Sequence, residues 1–141
     1  MDTFELEPEV AGGWGGRTRA DTSVHPPIVY ELDYCFEGWL GDDIIETFPC
    51  FAISSRLKEE LVKSDLTGFE LAPLIVSCSP EFSSEYVDVP PSGFVWLKIQ
   101  GETKSCDFSL GRNFKLRVTE RALAVLQRFR LGACRICRVE I

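Results

Sequence analysis

The chain has 141 residues, of which 45% are apolar and 26% charged, and it carries a formal net charge of −7 at pH 7. This size and balance fit a single globular domain over 1–141 with its own hydrophobic core, and no apolar run is long enough to cross a membrane as a helix. The acidic balance excludes long-range attraction to a phosphate backbone, so no nucleic-acid partner is expected.

The charge is unevenly placed. Residues 1–97 hold 18 acidic and 5 basic side chains, and residues 98–141 hold 4 and 10. The basic C-terminal segment is therefore expected to lie against the acidic remainder.

Residues 1–27 read as an N-terminal arm. Its start, MDTFELEPEV, lacks the basic residues and apolar core of a signal peptide, which points to a cytoplasmic location. Residues 4–7 predict a short strand with Phe4 and Leu6 inward. The glycines around Trp14, at 12–16, read as a mobile loop, because no helix pattern follows to make a dinucleotide fingerprint. His25, Pro26 and Pro27 force an extended approach to the next strand.

Over 30–37 the alternation is clean. Tyr30, Leu32, Tyr34 and Phe36 line one face, and Glu31, Asp33, Cys35 and Glu37 line a wet one, as in an antiparallel strand with one side in water. Continued without a bulge, the strand puts Trp39 on the carboxylate face. Gly41, Asp42 and Asp43 then read as a turn, and Ile44 and Ile45 open the following strand.

Residues 51–71 predict a strand, an amphipathic helix and a second strand, and residues 116–136 predict the same succession 65 positions later. The shift pairs Ile53 with Val118, Ser54 with Thr119, Arg56 with Arg121 and Leu66 with Leu131. Ser54 and Thr119 stand where a hydroxyl accepts an orphan amide of the first helical turn. Leu57 and Leu61, with Val62, form the apolar face of the first helix, and Ala122, Val125, Leu126 and Phe129 that of the second. Two related units over 50–76 and 115–141 are the expectation. Between them, 79–93 reads as a surface excursion, 94–99 as a strand and 107–110 as a short strand. The sum is an α+β fold, a mainly antiparallel sheet of about six to eight strands with two short helices.

The chemistry is less legible. His25 is the single histidine and has no neighbouring nucleophile motif. Cys134 and Cys137 form the one C-x-x-C. They fall in a predicted strand, where side chains three apart face opposite ways, so they read as structural thiols. No cofactor or metal motif is present. The densest carboxylate group is Asp42, Asp43 and Glu46, with Asp33 and Glu37 upstream. Rimmed by Trp39, the set Trp39, Asp42, Asp43, Glu46 and Glu37 is expected to form an acidic surface for a basic protein partner. The alternative is a carboxylate- or metal-dependent hydrolase built on Asp33, Asp42, Asp43 and Glu46 with His25 assisting. A homodimer through an exposed strand edge is left open.

The segments FELEPEVAGG, DTSVHPPIVYELDYCFEGWLGDD, ETFPCF and FVWLKIQG resemble a family of small bacterial proteins with no assigned activity. The stretch from Ser54 to Leu71, S-x-R-L-K-x-x-L followed by L-x-G-F-E-L, is similar to modules of bacterial polymorphic-toxin immunity proteins. The paired C-x-x-C of one such group is absent. That resemblance implies a cytoplasmic binding role against a basic toxin domain, with no catalysis of its own.

Overall fold

A computed structural model describes residues 2–84 and 91–140, the side chains of Ser83 and Ser84 excepted. The fold is α+β. In chain order the strands are β1 (Thr3–Glu7), β2 (Gly12–Trp14), β3 (Arg19–Asp21), β4 (Ile28–Glu31), β5 (Asp33–Trp39), β6 (Ile44–Thr47) and β7 (Cys50–Ile53). After α1 (Ser55–Lys63) come β8 (Phe69–Ala72), β9 (Ile75–Ser84), β10 (Val95–Ile99) and β11 (Phe108–Leu110). A 3-10 turn (Arg112–Phe114) leads to β12 (Leu116–Thr119), α2 (Glu120–Leu126) and β13 (Arg135–Val139).

The described residues thus hold thirteen strands rather than six to eight. The excess is in pieces of three or four residues, too short to show a period. One is β2, which converts the expected glycine loop into a strand paired with β5. A Cβ on Gly12 would stand 1.9 Å from the Cys35 carbonyl oxygen, so a bare backbone is needed for that close approach.

Two four-stranded antiparallel sheets carry the helices, one ordered β11-β12-β1-β13 and the other β6-β7-β10-β8. In each, the strands before and after the helix are separated by one strand from elsewhere in the chain, β1 or β10. Each helix begins as its sequence requires: the Ser54 hydroxyl accepts from the Leu57 amide (3.3 Å) and the Thr119 hydroxyl from the Ala122 amide (3.4 Å). Leu57, Leu61, Ala122, Leu123 and Leu126 join Phe51, Ile53, Leu97, Phe108, Leu116 and Val118 in one core. Each fully buried leucine there contributes roughly 2 kcal/mol. Val62 stays in solvent at 63% exposure, and Phe129 packs on the core from beyond the shorter α2.

The β6-β7-β10-β8 sheet is covered on both faces. Phe51, Ile53 and Leu97 face the helices, while Ala52 packs with Tyr34, Phe36 and Phe94, and Cys50 and Trp96 with Leu32. That second face is reached by the sheet β2-β5-β9, in which β5 and β9 run parallel. The alternation over 30–37 breaks at Leu32: β4 leaves to pair with β3, and Tyr30 is exposed while Leu32, Tyr34 and Phe36 are buried. The expected excursion at 79–93 begins as the far end of β9, and 85–90 lie outside the described residues.

The basic C-terminal segment lies against part of the acidic remainder, as expected, at the first strand. Lys115 stands 3.6 Å from Glu7, Arg117 3.5 Å from Glu5 and Arg138 2.8 Å from Asp2, all across the sheet that β1 completes. No helix among the described residues is long and apolar enough to cross a membrane.

Candidate functional site

The carboxylates picked out as an acidic surface are turned inward. Asp42 and Asp43 are 1% and 3% exposed. Asp43 Oδ1 accepts from Ser54 Oγ (2.6 Å) and Arg56 Nε (2.8 Å), and its Oδ2 accepts from Arg56 Nη2 (2.6 Å) and the Arg130 amide (2.7 Å). Burial opposes ionisation of Asp43, but the Arg56 guanidinium and Ser54 hydroxyl outweigh it and hold the carboxyl below its ordinary range. Asp42 Oδ2 accepts from the Ala133 amide (2.9 Å), and burial pushes this carboxyl up. Trp39 does not rim an acidic face. The register shifts between Phe36 and Gly38, Trp39 packs on Phe36 and Phe94, and its Nε1 donates to the Asp42 carbonyl (3.0 Å). Of the five residues expected to contact a partner, Glu37 is the exposed one, with Trp39 and Glu46 half-buried.

A second buried aspartate carries the same set of bonds, and nothing in composition marked it. Asp107 is 6% exposed; its Oδ1 accepts from Thr119 Oγ1 (2.6 Å) and Arg121 Nε (2.9 Å), its Oδ2 from Arg121 Nη2 (2.7 Å) and the Thr67 amide (3.0 Å). The Arg121 guanidinium holds this carboxyl far below the usual carboxylate range. The signal that would have found it is the shared S/T-x-R of Ser54–Arg56 and Thr119–Arg121 with an aspartate two short strands earlier, just before β6 and β11. Asp33, expected on a wet face, is 2% exposed and accepts from Ser77 Oγ (2.6 Å) and the Arg17 amide (3.2 Å). These oxygens are engaged by donors of the protein itself, which suits anchoring of turns rather than acid–base exchange with a substrate.

His25 meets aromatic rings. Its ring lies 6.0 Å from that of Phe48, stacked, and 5.8 Å from that of Phe114, edge-on. Among the described residues no group of three or more His, Cys, Asp or Glu could hold a metal ion.

Glu46 is a carboxyl pushed well toward neutrality. Burial and then the Glu7 carboxylate push it up to about 7, against the pull of Lys115. Because the folded value exceeds the ordinary 4.5, the proton-linked stabilisation is full below about 4.5 and is lost as pH rises through about 7. Glu46→Gln is expected to stabilise the protein by about 2 kcal/mol at pH 8 and by almost nothing at pH 4, a contrast read by urea unfolding at the two pH values.

The cysteines are free thiols. Burial pushes both Cys50 and Cys134 up to about 12, which makes them poor nucleophiles at neutral pH. Cys134 precedes β13 rather than lying in a strand with Cys137, its amide closing a turn onto the Leu131 carbonyl (2.9 Å).

Among the described residues seven large apolar side chains are exposed, and apart from Val10, Leu40 and Val62 they belong to one hairpin and its neighbour. Val24, Ile28 and Tyr30, at 43%, 49% and 53% exposure, belong to the β3–β4 hairpin, and Phe48, at 43%, stacks on His25 of the same hairpin. Ile28 and Tyr30 alternate outward on β4, whereas Val29 between them packs on the Leu32–Cys50–Trp96 cluster. A scan against protein-family models finds no match, and searches of the curated proteins and of the solved structures find none either.

Proposed function

We propose that the chain is a non-enzymatic, cytoplasmic protein-binding domain of the immunity type, and that it meets a basic partner through the β3–β4 hairpin and Phe48. The observation that carries this reading is the gathering of Val24, Ile28, Tyr30 and Phe48 in solvent on one hairpin and its neighbour. Exposed apolar residues so grouped are the usual core of a contact surface, and aromatic ones supply most of its energy. The net charge of −7 favours a basic partner by steering. The buried aspartates serve the fold in this reading, so the acidic contribution comes from exposed groups such as Glu31 and Glu37.

The two strand–helix–strand segments are, in the same reading, related units. Supporting this, Asp43, Ser54 and Arg56 make the bonds that Asp107, Thr119 and Arg121 make. Each aspartate also accepts an amide from the turn after the other helix, Arg130 or Thr67.

The test uses the intact chain as bait against a lysate of its own cell. A basic protein retained by the wild type is expected to be lost with Tyr30→Ser/Phe48→Ser and kept with Val62→Ser, all three baits melting alike. Equal retention by the hairpin variant would overturn the reading.

A further inference from the structure

Beneath the hairpin the sheet face that carries Trp96 opens into a cleft of about 390 Å3, bounded by Tyr30, Leu32, Leu74, Ile75, Trp96 and Lys98. That volume lies within the range of small-molecule sites, and the walls have their usual character, apolar with few polar groups. A smaller hollow of about 170 Å3, walled by Pro27, Pro49, Cys50 and Leu110, shares Trp96 and Lys98 with it. Trp96 and Lys98 are two apart on β10 and share a face, and the Lys98 ammonium stands 4.5 Å from the centre of the Trp96 ring.

Among the described residues no carboxylate forms an ion pair with the Lys98 ammonium. Its register partner on β8 is Glu70, whose carboxylate accepts from Gln100 Nε2 (2.8 Å). A carboxylate on the rim, Glu31, holds Arg19 Nε at 2.8 Å. Among the described residues Lys98 makes no ion pair, although it is half-buried between apolar walls. In the same cluster the indole N–H of Trp14, packed against Leu32, Cys50 and Trp96, is buried and has no acceptor among the described residues. A lone ammonium in an apolar cleft is the complement of a single negative charge on an apolar body. Among the described residues the wall holds no second cation, which a phosphate dianion would need.

We propose that this cleft binds a small amphipathic monocarboxylate, its flat apolar part along Trp96, Leu32 and Leu74 and its carboxylate on the Lys98 ammonium. Tyr30 is shared with the hairpin surface, but the site turns on Trp96, Leu74 and Lys98, and Lys98→Met leaves Val24, Ile28, Tyr30 and Phe48 in place.

The test titrates indole-3-propionate into the intact protein by calorimetry, with amide and indole N–H shifts read in parallel by NMR. Saturable binding is expected, with shifts at Trp96, Lys98 and Leu74. Lys98→Met, which keeps the stem and removes the charge, is expected to weaken binding by about tenfold or more, and Lys98→Arg to retain it within about threefold. On the wild-type protein the neutral amide of the same acid is expected to bind about tenfold more weakly, a comparison that needs no variant to fold. No saturation up to about 5 mM, a weaker limit than any specific site of this kind, overturns the proposal. So does equal affinity of acid and amide, or of wild type and Lys98→Met.

Discussion

Asp107→Ala is expected to lower the free energy of unfolding by about 3 kcal/mol, and Asp43→Ala by a similar amount. The reason lies in what each carboxylate satisfies. Asp107 takes hydrogen bonds from the Thr119 hydroxyl, the Arg121 guanidinium, and the Thr67 amide and hydroxyl, and is itself 6% exposed. Removing it orphans the part-buried donors around it and frees the hydroxyl that caps α2. Arg121 is half-exposed, so its own charge rehydrates and the loss stays moderate. Asp65, the other partner of Arg121, is 89% exposed, and Asp65→Ala is expected to change stability by less than about 0.5 kcal/mol. Urea unfolding followed by tryptophan fluorescence separates the two outcomes. The effect also has a sign in pH. A carboxyl held below its ordinary 3.8 stabilises the fold above that value and ceases to do so as pH falls toward the folded value. The gap between wild type and Asp107→Ala should accordingly close in acid.

Gly68→Ala is expected to destabilise by about 3 kcal/mol or more, enough to leave much of the chain unfolded near body temperature. Gly68 has φ +96°, where a side chain is strained, and a Cβ there would stand 2.2 Å from the Phe108 carbonyl oxygen and 2.8 Å from Cys106 Cβ. The obstruction cannot swing aside, because it is backbone. The Thr67 carbonyl accepts the Phe108 amide (2.9 Å) and the Gly68 carbonyl accepts the Gln100 and Gly101 amides (2.8 and 2.9 Å), so three segments meet at that point. Gly16→Ala makes the contrast: nothing lies within 4 Å of its Cβ position and its φ is ordinary. Thermal melts of the two variants should differ widely, with Gly16→Ala within about 0.5 kcal/mol of the wild type.

How far the residues spoke for themselves can be judged element by element. Ser54 and Thr119 were readable as helix caps because capping is a contact over three residues. Leu57, Leu61, Ala122 and Leu126 were readable as core because a helical stripe repeats at a fixed spacing. Phe4 and Leu6 were readable for the same reason at a spacing of two, and Leu6 is 1% exposed. The strand over 30–37 was half right. Its apolar side from Leu32 to Phe36 is buried, but Asp33 on the supposed wet side is buried too, since β9 supplies Ser77 and the turn after β2 supplies Arg17.

The candidate site was read least well, and for one reason. An aspartate in a turn looks alike in sequence whether it faces water or a guanidinium, and the donors that decide lie far away in the chain. Arg130 is 87 positions from Asp43, Ala133 is 91 from Asp42, and Thr67 is 40 from Asp107. Trp39 turned inward because of a register shift that no alternation reveals. Tyr30 turned outward because β4 left the strand that its pattern continued. The sequence by itself determined the short-range grammar of this protein: α+β class, capped amphipathic helices, and a basic end set against an acidic beginning. The tertiary structure alone decided which carboxylates are buried, which aromatics reach solvent, and which lysine makes no ion pair among the described residues. Periodicity and capping act within a few residues, whereas burial and charge pairing are settled by segments that meet only once the chain has folded.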